Sequence, residues 1–366
     1  MNQLKNAEEM VELEDLPDVD NAEPGEDIGK KIVSREEIHQ IAQKKFKEIH
    51  NQPEEGISDE EQEKRSKNFQ KLIVVTGGAG FLGTHLIQML NHRGRNDILI
   101  VDDLTDPRKL QNINTLKFQD YTDKSKFIEL LGFLAENKMV ERVYHLGAES
   151  DRRCTDGKYI MENNYQYTCN IMDICFMNNI PLVYASSAAV YGQRHDSNDE
   201  SDDYTPESYY ALSKLQADRY SRKFVQHAEQ TIIGLRYFNI ISHGKHEQHK
   251  GDMKSPLAWM TEQYKKDGII TLFEGSKEFE RDFIHIEWAA RITINAMTKG
   301  QSGVYNVGSG TTKTFYDLAA DVLEKDFGTD QANVKYIPFP EDIAQGYQKY
   351  TKADMSNACF GIMSRP

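Results

Sequence analysis

LIVVTGGAGFLGTHL, residues 72–86, is the stretch that decides the fold. Its apolar and β-branched residues break into glycines and then continue at helical spacing, which predicts a strand, a tight turn and a helix. Gly77 permits the turn out of the strand, Gly80 lets a pyrophosphate approach the backbone, and Gly83 lets helix and strand pack closely. The stretch therefore predicts the first unit of a dinucleotide-binding sheet.

Two neighbouring features extend this cofactor site. Phe81 and Leu82 open the predicted helix, and the N–H groups at its start would face the phosphates. Asp102 and Asp103 end the next predicted strand, about 20 residues beyond the glycines, where an acid binds the adenosine ribose hydroxyls. We expect all four residues to bind the dinucleotide.

The choice between NAD and NADP stays open on the sequence. Acids at the ribose repel a 2′-phosphate and favour NAD. Lys109 and Lys124 follow closely, however, and with Arg108 they offer cations that bind such a phosphate. Both lysines are predicted cofactor ligands.

Strand and helix patterns alternate from Lys71 onward. Strands are predicted over 116–119, 140–146 and 181–185, and helices over 127–134 and 158–177. Alternation of this kind predicts an α/β fold with a doubly wound parallel Rossmann sheet. We assign residues 71–240 to a Rossmann NAD(P)-binding domain and 241–366 mostly to a smaller C-terminal α/β substrate-binding region.

Residues 1–70 form an acidic arm of different composition, with 19 acidic and 10 basic residues. Ser34 and Glu37 make a capping box ahead of an apolar stripe, so part of the arm is predicted to be helical. The stripe either packs on its own domain or docks to a partner protein. Both alternatives stay open, and residues 1–70 are our predicted protein-binding segment.

Composition excludes several classes of protein. The chain has 366 residues, 39% of them apolar, and no apolar run of the ~18 to 20 residues that would span a bilayer. The net charge of −14 argues against nonspecific nucleic-acid binding. Four cysteines without zinc spacing favour reduced thiols and an intracellular, most simply cytoplasmic, protein. An organellar or cytoskeletal assembly and a homo-oligomer stay open.

A catalytic group is predicted past the strand at 181–185. Ser187 follows that strand, while Tyr210 and Lys214 are four residues apart and share a helix face. An ammonium and a positive nicotinamide would lower the pKa of the phenol and make it a base. Each feature occurs alone by chance, but their order after the glycine turn favours a short-chain dehydrogenase ancestry.

The chain resembles the extended short-chain dehydrogenase/reductase family, and within it most closely the ADP-L-glycero-D-manno-heptose 6-epimerases. The resemblance runs from Lys71 to about Asn357. It is carried by the segments DGKY at 156–159, NNYQY at 163–167, YASSAA at 184–189, RYFN at 236–239, HKG at 249–251, LFEGS at 272–276, RDF at 281–283, YIPFP at 336–340 and YQ at 347–348.

The resemblance implies roles for residues near the reacting carbon. Tyr210 and Lys250 would be acid/base groups on opposite sides of the sugar carbon, with Ser187 assisting. Lys214 would hold the nicotinamide ribose, and Asn163 would contact the cofactor. The implied chemistry is transient oxidation, in which hydride leaves the carbon to be inverted and returns to its opposite face.

Four further residues would hold the nucleotide-sugar according to the same resemblance: Asn239, Phe273, Arg281 and Tyr347. Arg281 suits a diphosphate because a guanidinium can make two charge-assisted bonds to one phosphate. Its alternative is an ion pair with Glu278 or Glu280 at the surface.

Departures from the family pattern support a second hypothesis. Charged residues at 149–153 stand where the family has a small polar run, and the loop before Lys250 is two residues longer. Asp252 and Met260 replace an expected serine and histidine. The alternative is therefore an inactive or weakly active epimerase-like subunit of a larger assembly, tethered by its N-terminal arm.

Three histidines at 243, 246 and 249 raise the question of a metal site. They fall in a loop without a matching carboxylate pattern, so we interpret them as solvated side chains and predict no metal.

Overall fold

The computed structural model describes residues 71–194, 197, 204–225, 230–244, 246–329, 333–340 and 347–357. The predicted acidic arm, with its capping box and its partner, lies outside these residues. No described helix has the length and apolar character needed to cross a membrane.

The described strands are β1 Leu72–Thr76, β2 Ile98–Asp102, β3 Asp120–Asp123, β4 Val140–His145, β5 Leu182–Ser187, β6 Ile232–Tyr237, β7 Asn239–Ile241, β8 Ile270–Phe273, β9 Glu280–His285, β10 Gly303–Val307, β11 Thr312–Thr314 and β12 Val334–Ile337. The described α-helices are α1 Phe81–His92, α2 Leu110–Ile113, α3 Lys124–Glu136, α4 Gly157–Ile160, α5 Tyr167–Met177, α6 Tyr209–Val225, α7 Pro256–Asp267, α8 Ile286–Lys299 and α9 Phe315–Phe327.

Seven strands form one sheet in the order β10-β6-β5-β4-β1-β2-β3, and every pairing in it is parallel. Helices cover both faces: Leu86 of α1 and Ile292 of α8 lie in the core on one side, Phe127 of α3 and Met172 of α5 in the core on the other. Buried strands with both faces covered are typical of doubly wound sheets. The predicted Rossmann fold is confirmed.

Two small sheets accompany the large one, in the orders β11-β9-β7 and β12-β8. A separate core packs α7 and α9 against them, with Met260 and Leu323 among its buried residues. The pairing of β7 with β9 is parallel and sets Asn239 opposite Phe283. This register brings the side chain of Asn239 to the carbonyl of Asp282, the residue after Arg281.

Two sequence predictions needed correction. The strand predicted at 116–119 lies at Asp120–Asp123, because β3 is a polar strand at the sheet edge and offers no apolar run to recognise. Buried Leu116 instead closes the turn after α2, where its N–H donates to the carbonyl of Ile113. The helix predicted at 158–177 is present, but its central turn, Met161–Gln166, widens into a π-helix between α4 and α5.

Candidate active site

The glycine turn lies directly against the loop after β4. Gly77 has a φ of +66°, and a Cβ there would lie 2.7 Å from the backbone N of Gly147. A Cβ on Gly83 would lie 2.1 Å from the carbonyl O of Gly77, so α1 packs on the turn itself. The sheet order reverses between β1 and β4, and such a crevice is where open α/β sheets bind ligands.

The start of α1 fits the pyrophosphate of a dinucleotide. Gly80 is the N-cap residue and offers no side chain to the first N–H groups, and the first turn, opened by Phe81 and Leu82, contains no acid. The N–H groups and dipole of this 12-residue helix favour an anion at that position. A Cβ on Gly80 would lie 3.1 Å from Gly77 O and would crowd the turn. Glycine at this position therefore leaves the backbone of the turn accessible.

Asp102 ties the turn to the end of β2. Its Oδ2 accepts a hydrogen bond from the N–H of Ala79 at 2.8 Å. Its Oδ1 accepts from the N–H of Asp103 at 2.8 Å and from Nζ of Lys109 at 2.7 Å. Asp102 is buried and fully engaged, so it shapes the cofactor site while holding Lys109 beside it.

Asp103 offers the more accessible carboxylate of the pair. It lies 3.4 Å from Nζ of Lys124, with about a third of its side chain exposed. Hydrogen bonds from Thr105 lower the pKa of Asp103 to about 2, and the charge of Lys124 acts in the same direction. Lys124 also donates to Oδ1 of Asn163 at 3.3 Å. Three predicted cofactor residues therefore line one edge of the crevice.

Ser187, Tyr210 and Lys214 converge at the end of β5. Buried Lys214 donates from Nζ to the carbonyl of Ala185 at 2.8 Å and lies 5.8 Å from the centroid of the Tyr210 ring. The hydroxyl of Ser187 accepts from the N–H of Ala189 at 3.1 Å and lies near enough to the Tyr210 phenol to act on its pKa. The arrangement sets a phenol, an ammonium and a hydroxyl around one point beside the crevice.

Without the nicotinamide the pKa of the Tyr210 phenol is raised, and its predicted lowering by Lys214 together with a positive nicotinamide stays a prediction. Burial raises the pKa of Tyr210, and the charge of Arg152 and the Ser187 hydrogen bond only oppose that rise. Burial likewise lowers the pKa of Lys214 to about 8, with Asp218 acting against the shift. The sequence could show the spacing of the two side chains but not their burial, which decides the direction.

Lys250 lies at the opening of the glycine turn. Its Nζ is 4.8 Å from the centroid of the Phe81 ring and 3.4 Å from Oε2 of Glu247. Burial lowers the pKa of Lys250, while Glu247 opposes that change. Among the described residues Lys250 makes no hydrogen bond or ion pair with Tyr210. The structure thus brings Lys250 to the cofactor crevice and leaves its predicted acid/base role a prediction.

Arg281 and Tyr347 form the centre of the predicted substrate site. The guanidinium carbon of Arg281 lies 4.8 Å from the centroid of the Tyr347 ring, and the side chain is buried. Its Nη1 is buried without a hydrogen-bond partner in the described part of the chain. Burial lowers the pKa of Arg281 to about 10, Tyr347 opposes this, and Arg152 adds to it. A buried donor of this kind can bind an anion, and because the side chain is buried, the surface ion pair considered from the sequence is wrong.

Phe273 joins the same site through aromatic contacts. Its ring centroid lies 5.3 Å from that of Phe339, which in turn lies 4.9 Å from that of Tyr347. Phe279 packs against Phe339 and Tyr347, both at 5.5 Å. These rings provide an apolar wall beside Arg281, a surface on which a planar nucleobase can stack. Phe279 and Phe339 were not predicted as site residues.

Asn239 lies opposite Phe283 in the β7–β9 pair, and its side chain reaches the residue after Arg281. Its Nδ2 donates to the carbonyl of Asp282 at 3.0 Å and to Oγ1 of Thr351 at 3.2 Å. These bonds fix the amide between β9 and the C-terminal segment that carries Tyr347. The structure therefore brings all four predicted substrate residues to one side of the crevice.

The three loop histidines have separate partners: His243 with Asp326, His246 with Gln88, and His249 with Asn112, each at 3.1 Å. The described residues contain no group of three or more His, Cys, Asp or Glu that could hold a metal ion. The prediction that the histidines are solvated is wrong for buried His246 and half-buried His249, whose contacts attach the loop before Lys250 to α1 and α2.

The fold and the site define a Rossmann protein of the short-chain dehydrogenase type. The chain belongs to the NAD dependent epimerase/dehydratase family, whose model matches residues 73–308. The chain is 41% identical over 292 residues to ADP-L-glycero-D-manno-heptose-6-epimerase of Brachyspira hyodysenteriae, covering 78% of this chain and 89% of that protein. The predicted resemblance to NAD(P)-dependent epimerases is confirmed. The alternative of an inactive subunit gains no support from these comparisons.

Solved structures agree with this assignment. The structure of ADP-L-glycero-D-manno-heptose-6-epimerase from Helicobacter pylori matches with a TM-score of 0.64 and 27% identity, over 74% of this chain and 85% of that one. UDP-glucuronic acid 4-epimerase from Bacillus cereus, in complex with UDP-glucuronic acid and NAD, matches with a TM-score of 0.63 and 26% identity, over 78% and 91%.

Proposed function

We propose that this protein is an NAD(P)-dependent nucleotide-sugar epimerase that inverts the C6 carbon of ADP-glyceromanno-heptose through a keto intermediate. The observation that carries the proposal is the convergence of Ser187, Tyr210 and Lys214 beside the glycine turn. The 41% identity to a heptose epimerase supports the choice of substrate.

The cofactor, when bound, accepts a hydride from the substrate carbon and returns it. Around it, Tyr210 is proposed to take the proton of the substrate hydroxyl as the ketone forms, with Ser187 hydrogen-bonding that oxygen. Lys214 would hold the nicotinamide ribose and add positive charge near the phenol. Lys250 is the proposed donor of the proton that restores the substrate hydroxyl on the opposite face.

The substrate is proposed to lie with its diphosphate at Arg281. The buried Nη1 of that side chain lacks a partner in the described residues, and a phosphate oxygen would satisfy it. Phe273 and Phe339 would stack the base, while Tyr347 and Asn239 would border the phosphates and the sugar. Neither the choice between NAD and NADP nor the predicted protein partner of residues 1–70 has further support.

The test is to incubate the purified full-length protein, NAD(P) and ADP-D-glycero-D-manno-heptose in D₂O, and to follow the C6 epimers by NMR. Epimerisation without deuterium at C6 is expected, because the same hydride leaves and returns. Incorporation of deuterium at C6 would contradict transient oxidation. Protein that retains NAD(P) but turns over no ADP-heptose would refute the proposed function.

A further inference from the structure

Arg152 lies where three parts of the chain meet. It follows β4 at the carboxyl end of the sheet, and its Nη1 donates to Oε1 of Gln348 at 3.4 Å. Buried Gln348 is itself fixed, since its Nε2 donates to the carbonyls of Gly192 at 2.6 Å and Ala188 at 3.4 Å. Gln348 therefore links Arg152 to the loop after Ser187, and Arg152 itself contacts the segment that carries Tyr347.

No carboxylate of the described residues forms an ion pair with Arg152. Among the described residues Arg152 makes no ion pair, whereas the adjacent Arg153 pairs with Asp151 at 3.0 Å. Arg281 likewise has no carboxylate partner in this part of the chain. The acid next to it in the chain, Asp282, accepts hydrogen bonds from the backbone N–H groups of residues 309, 310 and 353.

The two guanidiniums contact neighbouring residues of the C-terminal segment: Arg152 hydrogen-bonds Gln348, and Arg281 lies 4.8 Å from the ring centroid of Tyr347. Arg152 and Arg281 are within electrostatic range of each other, and both are within range of Tyr347. Arg152 is exposed and Arg281 is buried; like charges repel, and an anion bound between the two side chains would relieve that repulsion. A nucleoside diphosphate carries charge of the required sign on two adjacent phosphates.

We infer that Arg152 and Arg281 form a two-arginine clamp for the diphosphate of the substrate, with Arg152 supplied by the loop after β4. The inference rests on the proposed function and deepens it, because it adds a binding residue at a position where the family pattern has a small polar side chain. Each arginine can donate two charge-assisted bonds to one phosphate.

The test is calorimetric binding of ADP and AMP to full-length protein saturated with NADH or NADPH, which keeps ADP out of the dinucleotide site. Arg152→Gln should weaken ADP binding about tenfold or more, and it should reduce the preference for ADP over AMP. Arg153→Gln is the matched control, since its guanidinium is already paired, and its ADP affinity should stay within about twofold of wild type. Unchanged melting temperatures would establish that both variants fold.

An ADP affinity of Arg152→Gln equal to that of wild type would overturn the clamp. The clamp would also be overturned if Arg152→Gln lost affinity only for a nucleotide-sugar with a carboxylate on its sugar, such as UDP-glucuronate. The anion bound by Arg152 would then lie on the sugar. ADP binding does not require turnover. Arg152-dependent ADP binding in a protein that epimerises nothing would refute the proposed function while preserving the clamp.

Discussion

The ammonium of Lys214 lies 5.8 Å from the centroid of the Tyr210 ring. Both side chains project from one helix, and Ser187 at the end of β5 lies near enough to the Tyr210 phenol to act on its pKa. Because burial raises the pKa of the phenol, the site holds Tyr210 protonated at neutral pH in the protein alone. A positive charge brought by the oxidised nicotinamide would favour the phenolate when the reaction needs a base.

Tyr210→Phe should lower kcat for ADP-heptose by a factor of about 10² to 10⁴, the contribution typical of a positioned acid/base group. NAD(P) affinity should change little, since the ring remains. Steady-state kinetics and cofactor titration measure both quantities. Tyr209→Phe is the control because this adjacent side chain is 48% exposed. Comparable loss in both variants would argue against a catalytic phenol.

Lys214→Met should reveal the burial of the ammonium through the pH dependence of stability. The pKa of Lys214 is about 8 in the folded protein and near 10.5 when exposed, so the unfolded chain binds more protons between these values. The free energy of unfolding of the wild type should therefore rise by roughly 3 kcal/mol relative to that of the variant as the pH rises from 8 to 10.5. Urea denaturation across this range measures the difference.

The matched control for that experiment is Lys223→Met, on the exposed side of the same helix. Its stability difference from wild type should stay level over the same pH range. If the stability difference between Lys214→Met and wild type also stayed constant over this pH range, Lys214 would not be buried as described.

Gly83→Ala should destabilise the protein by about 1 to 3 kcal/mol or more and weaken NAD(P) binding, because the new methyl would lie 2.1 Å from Gly77 O. Gly132→Ala, in α3, has nothing within 4 Å of the added carbon and should be neutral or stabilising by about 0.5 to 1 kcal/mol. Thermal unfolding and cofactor fluorescence distinguish the two. A stable, cofactor-binding Gly83→Ala protein would contradict the packing of α1 on the turn.

Local sequence patterns predicted the parts of the site that depend on spacing along one element. The glycine turn and the Tyr210–Lys214 pair are of this kind, since each is set by the geometry of one turn or one helix. Arg152 and Gln348 meet across a separation of 196 residues, which no spacing can indicate. The pKa shifts of Tyr210 and Lys214 were equally inaccessible, because burial depends on the complete fold.

Glu247 is a further residue that the sequence did not single out, and it positions the loop that carries Lys250. It is fully buried, its Oε1 accepts from Oγ of Ser242 at 2.6 Å and of Ser255 at 2.8 Å, and its Oε2 accepts from the N–H of Ser255 at 2.6 Å. Its charge also opposes the lowering of the Lys250 pKa. Both the loop and the lysine therefore depend on this carboxylate.

Glu247→Gln should lower the free energy of unfolding by about 1 to 3 kcal/mol, because an amide nitrogen cannot accept the bonds that the carboxylate takes. It should also lower the pKa of Lys250, so that the kcat profile moves to lower pH if Lys250 is the second acid/base group. Glu262→Gln removes an exposed ion pair with Lys254 and should change stability by less than about 1 kcal/mol. An unshifted profile in Glu247→Gln, with stability reduced as expected, would assign Glu247 a purely structural role and remove Lys250 from the proton transfers.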